Sequence, residues 1–117
     1  MSVDEIARIL VESGIPICPL FEARYVAIAA EKRGWVGGTL RRFVFEPETI
    51  VILVRAVSEE LGISHYALMR RAKLHPMTFL KWDHSICRPK FDSIEQLNDA
   101  ITTLREEKSR PEGEVTP

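Results

Sequence analysis

Apolar residues recur at three- and four-residue spacing along most of this chain, which predicts a mainly α-helical protein. Val3, Ile6, Ala7 and Leu10 form the first stripe, with Ser2 and Glu5 spaced as a capping box and Gly14 placed to end the helix. Pro16 and Pro19 deny helical hydrogen bonds to the stretch 15–19 and predict extended chain there. A second helix is expected over residues 20–33, with Phe21, Tyr25, Ile28 and Ala29 on one face and Gly34 as its stop.

The period then shortens to two. Gly37-Gly38 can supply the positive φ angles of a tight turn, so a β-hairpin is predicted. Thr39, Arg41, Phe43 and Phe45 would face one side, with Leu40, Arg42 and Val44 on the other. Pro47 suits the first position of a third helix that Gly62 closes. Its core stripe is Ile50, Leu53, Val54, Val57 and Leu61, and Val51 and Ile52 widen the apolar surface, which predicts burial on two sides. Ser64 caps a short helix over 64–72, and Pro76 restarts the chain for another that runs to about Asp83. Asp92 and Glu95 are spaced to cap a final helix with Ile94, Leu97, Ile101 and Leu104 inward. From Glu106 onward there is almost nothing to bury, and a disordered tail is expected. The chain thus divides into an annex (1–46), a helical domain (47–107) and a tail (108–117).

Composition changes this picture little. With 45% apolar and 28% charged residues the chain reads as an ordinary globular domain, and no apolar run is long enough for a membrane span. The acidic first residues form no signal peptide, so a cytoplasmic location is expected. Cys18 and Cys87 lie far apart without a partner motif and read as reduced apolar fillers.

Charge changes it more. The formal net charge is −1, yet between residues 63 and 90 stand Arg70, Arg71, Lys73, Lys81, Arg88 and Lys90 against a single acid, Asp83. A basic patch on an otherwise acidic body is the electrostatic footprint of a phosphate-binding face. The near-neutral whole argues against indiscriminate coating of DNA.

Within this patch the spacing fits two helices in contact across a tight turn. Ala67, Leu68, Ala72, Leu74, Phe79 and Trp82 fall inward, whereas His65, Lys73, Thr78 and Lys81 fall outward. Gly62-Ile63-Ser64-His65, Leu68-Met69, Lys73-Leu74-His75, Lys81-Trp82-Asp83, Arg88-Pro89 and the stretch 94–97 follow one another in a set order. In these residues the chain resembles the helix-turn-helix family of phage repressors and Cro-type regulators, over about residues 50–105. The resemblance implies a mainly α, five-helix, phage-repressor-like bundle carrying an N-terminal α/β-hairpin annex. It also implies that the second helix of the pair enters the major groove while the first braces it. His65 stands where the family has Gln, and Lys73 where it has a turn glycine, at a cost of about 1 kcal/mol for a left-handed non-glycine residue.

On this reading Met77, Thr78 and Lys81 contact bases, Met77 only through thymine methyls or shape. Ser64, His65, Lys73, His75, His84, Arg88 and Lys90 contact phosphates. Trp82 belongs to the core. His65, His75, His84 and Cys87 have no zinc-ligand spacing, so no metal is expected. No nucleophile elbow, phosphate loop or paired catalytic carboxylates occur, so neither an enzyme nor a cofactor is expected. The annex loosely resembles a winged helix, whose Arg41 and Arg42 could touch DNA. Its acidic residues Glu5, Glu12, Glu22 and Glu31 favour an oligomerisation or bracing element that covers Val51 and Ile52.

The expected function is a sequence-specific regulator of transcription, a homodimeric repressor bound to double-stranded DNA. The alternatives are the antitoxin of a toxin–antitoxin pair, with the annex binding the toxin, and a protein-interaction adaptor that keeps the fold without the DNA.

Overall fold

Ser2 opens the first helix as its position predicts: its Oγ accepts the backbone N–H of Glu5 at 3.2 Å. A computed structural model describes residues 2–35 and 37–109 and shows a helical protein; among the described residues there is no strand. Helix α1 spans Val3–Glu12, and Gly14 leaves it at φ +70°. A single 3-10 turn, Pro19–Phe21, precedes α2, Ala23–Arg33. The chain continues through α3 (Leu40–Val44), α4 (Pro47–Leu61), α5 (His65–Arg71), α6 (Pro76–Asp83) and α7 (Phe91–Ser109).

Three expectations of secondary structure are corrected, and Cys87, expected as an apolar filler, is exposed. The predicted helix over 20–33 is broken at Glu22, whose ψ of 142° is extended. The break resets the buried face of α2 to Tyr25, Val26, Ala29 and Ala30, and leaves Ile28 exposed. The predicted β-hairpin of the annex is absent among the described residues, and Val36 lies outside them. Gly37 and Gly38 do adopt positive φ, but the segment they release is the short helix α3. Leu40, Phe43 and Val44 are buried on it, at helical spacing, while Arg41 and Arg42 are exposed. The five-helix bundle with a hairpin annex is therefore replaced by seven α-helices among the described residues.

The third correction concerns the C-terminal helix. It opens at Phe91, so that Asp92 lies inside its first turn, and Lys90 supplies the carbonyl that accepts the N–H of Ile94. It also runs past Glu106 to Ser109. Arg71 pairs with Glu107, and Lys108 Nζ donates to the carbonyl of Glu60 at 3.1 Å, so polar contacts hold a stretch that has little apolar surface. Residues 110–117 of the expected tail lie outside the described residues.

Helix α4 is the centre of the assembly and packs against α2, α3, α5, α6 and α7. Val51 is buried and Ile52 half-buried, as their position off the main stripe requires once α2 covers that flank. The buried side chains of the annex (Ile6, Leu20, Tyr25, Val26) and of the later helices (Leu53, Leu68, Trp82, Leu97) belong to one continuous core. Polar links reinforce it across the sequence. The N–H of Leu20 donates to Asn98 Oδ1 at 2.8 Å, and Arg105 pairs with Glu22 and donates to Tyr25 Oη at 2.8 Å.

Candidate nucleic-acid interface

Helices α5 and α6 are each too short to stand alone, and the surrounding core holds them. Ser64 Oγ accepts the N–H of Ala67 at 3.1 Å and so starts α5. The turn follows at Lys73, with φ +60°, where the N–H groups of Lys73 and Leu74 return to the carbonyls of Arg70 and Met69. His75 Nδ1 then accepts the N–H of Met77 at 3.1 Å, so His75 caps α6 while Pro76 occupies its first position.

Helix α6 is anchored from beneath by Phe79 and Trp82, both buried, the indole with only 1% of its surface exposed. The same phase turns Met77 and Lys81 outward and leaves Thr78 half-exposed beside them. The three side chains assigned to base reading therefore share the outer surface of one rigid, short helix.

His65 is half-buried at the contact of the two helices. Its ring stacks on Phe79, with centroids 4.3 Å apart and planes 26° from parallel, and meets Tyr66 at 4.2 Å. Burial, and then the charge of Arg55, hold its pKa below the ordinary histidine value, and Asp83 opposes this only in part. Its neutral ring braces the pair, and any phosphate contact from it is a neutral hydrogen bond.

The remaining members of the predicted set are exposed: Ser64, Lys73, His75, His84, Arg88 and Lys90. Among the described residues, Arg70, Lys73, Lys81, Arg88 and Lys90 make no ion pair, whereas Arg71 is held by Glu107. The one acid of the segment, Asp83, is met by Arg55 at 3.8 Å. His65, His75, His84 and Cys87 do not converge, and among the described residues no group of three or more such side chains could hold a metal ion.

The chain matches no family model, no curated protein and no solved structure.

Sequence reasoning missed two contributors. Arg55 lies over the Phe79 ring at 5.4 Å and adds a guanidinium to the edge of the pair from α4, outside the basic segment. Its place beside Val54, on the solvent flank of the α4 stripe, was the available signal. The second is a partnership. Arg88, which follows α6, lines one cleft with Arg41 and Arg42 of α3, a grouping that no local pattern announces.

Proposed function

We propose that this protein is a sequence-specific DNA-binding regulator, with α5 and α6 as a helix-turn-helix pair and α6 as the helix that enters the major groove. The observation that carries this reading is the arrangement of α6. Phe79 and Trp82 pin it from the core side, while Met77, Thr78 and Lys81 stand outward among cations that have no ion-pair partner among the described residues. Thr78 and Lys81 have the hydrogen-bonding groups for base edges, and Met77 has the apolar surface for a thymine methyl. Ser64, Lys73, His75, His84, Arg88 and Lys90 flank them as phosphate contacts that set register.

One such helix reads only a few base pairs, and two copies on neighbouring half-sites about 34 Å apart double the recognition free energy. An exposed apolar surface is available for that pairing. Val3 and Val11 of α1 are 47% and 66% exposed and Ile17 94%, and they line one apolar groove with Ala7 and Pro16. The stripe Val3–Ala7–Val11 is symmetric about Ala7, so antiparallel packing pairs Val3 of one copy with Val11 of the other. Among the described residues no helix is long and apolar enough to cross a membrane.

Selection of bound sites from a random duplex pool tests the proposal. The expected outcome is a palindromic motif whose recovery falls steeply with salt. A pool without enrichment, or affinity unchanged between low and physiological salt, overturns it.

A further inference from the structure

The short helix α3 owes its orientation to burial: with Leu40, Phe43 and Val44 in the core, Arg41 and Arg42 are forced onto the surface. Across from them stands Arg88. The loop that carries it is fixed at its start, where the N–H groups of Ser85 and Ile86 bond to the carbonyls of Trp82 and Lys81. Ser85 adopts φ +54°, and its Oγ bonds to Glu48 Oε1 at 3.0 Å, which ties the loop to the first turn of α4. Arg41, Arg42 and Arg88, with Thr39, Phe45 and Glu46, line a cleft of about 630 Å³.

Glu46 lines the cleft and Glu48 stands in the first turn of α4, and the two share one guanidinium. Arg33 meets Glu46 Oε2 and Glu48 Oε2, each at 3.1 Å. Among the described residues none of Arg41, Arg42 and Arg88 forms an ion pair. Arg33 offsets only one of the two carboxylate charges, yet the three guanidinium groups still leave the cleft with cations in excess, and their planar forks match phosphate oxygens.

We propose that this cleft binds DNA backbone phosphates beyond the C-terminal end of α6, so that the annex and the reading helix grip one duplex. This rests on the DNA-binding reading of α6. The position of the cleft favours the backbone as its ligand: the chain passes from α6 through a short, pinned loop directly to Arg88. A strand bordering the groove that α6 occupies is therefore the nearest source of phosphate.

The test is the salt dependence of duplex binding by the full chain, read by fluorescence anisotropy. Each phosphate contact contributes about 0.9 to the log–log slope. Arg41→Ala/Arg42→Ala should make the slope shallower by about 2, weaken selected and scrambled sites alike, and leave thermal melting unchanged. Arg88→Ala should make it shallower by about 1, and Arg41→Lys/Arg42→Lys should keep the wild-type slope. A wild-type slope in both alanine variants overturns the cleft and leaves the role of α6 standing. Absence of any duplex affinity in the wild type at low salt overturns both. If inorganic phosphate shifts the Arg41 and Arg42 side-chain resonances and duplex DNA does not, the cleft is a small-anion site and the backbone assignment falls.

Discussion

The imidazole of His65 lies almost flat on the ring of Phe79, 4.3 Å between centroids, and joins the two helices of the basic pair. The stack sets the imidazole against an apolar ring and away from water, which favours its neutral form. Burial and the guanidinium of Arg55 both favour that state.

A pH dependence follows, with a definite sign. His65 has a lower pKa in the folded chain than its ordinary value of 6.5. The unfolded chain therefore binds the proton more readily, and stability is complete above pH 6.5 and lost as pH falls through the lowered folded value. His65→Phe keeps the stack and should remove this part of the loss. Nuclear magnetic resonance titration of the His65 ring checks the premise directly: a midpoint at or above 6.5 would overturn it.

Lys73 holds φ +60°, a conformation that glycine adopts at little cost. Lys73→Gly should stabilise the protein by about 1 kcal/mol, a gain of about 4 °C in melting temperature. On the proposed function the same substitution should weaken DNA binding at every sequence by a similar factor, since it would remove one of the proposed phosphate contacts. An unchanged or lowered melting temperature would mean that the lysine side chain packs usefully where it stands.

Trp82→Ala should cost about 3–5 kcal/mol, because it removes the largest fully buried side chain beneath α6. Thr78→Ala and Lys81→Ala should leave melting within about 0.5 kcal/mol of wild type and lower discrimination between selected and scrambled sites. If Trp82→Ala melts like wild type and still loses DNA, the indole is a contact and the phase of α6 is different.

These contrasts also explain what was legible in the sequence. Pro47, Gly62, Ser64 and Pro76 act on the residues beside them, so the ends of α4, α5 and α6 fall where the local signals stand. The stretch 40–45 carries two periods at once. Phe43 and Phe45 alternate as in a strand, yet Leu40, Phe43 and Val44 also follow helical spacing, and the core decides between them. Gly-Gly cannot arbitrate, since positive φ serves a hairpin turn and a plain break equally well. The extension of α7 to Ser109 depends on Glu107 and Lys108 reaching Arg71 and Glu60, partners that lie far off in the chain. Of the candidate site, the outward residues of α6 were legible from its phase; the meeting of Arg41, Arg42 and Arg88 was not.

The annex shares one continuous core with the later helices. Asn98 Oδ1 accepts the part-buried N–H of Leu20, so Asn98→Ala leaves that donor unsatisfied at a cost of about 1–3 kcal/mol, while Asn98→Asp keeps an acceptor and should cost less. A fragment lacking residues 1–45 loses α2, which covers one flank of α4, and should lose cooperative unfolding. A sharp thermal transition in that fragment would show that residues 46–117 hold a core of their own.

Val11 and Ile17 are exposed on the rim of the apolar groove beside α1, and neither supports the interior. Val11→Asp and Ile17→Asp should therefore leave melting nearly unchanged and introduce a carboxylate that two copies would have to bury. Sedimentation should find a dimer for the wild type and a monomer for each variant, with operator affinity falling together with the dimer. Half-site affinity should be untouched, because α6 lies on other elements of the fold. If the variants remain dimers, the copies meet elsewhere, and the exposed flank of α7 becomes the next surface to test. If the wild type is a monomer that captures a second small protein through Ile17, the groove serves a foreign partner, as in an antitoxin. A second copy would bring the same exposed stripe of Val3, Ala7 and Val11 to this face, so that one substitution acts twice across a two-fold contact and should have a larger effect on a homodimer than on a foreign partner.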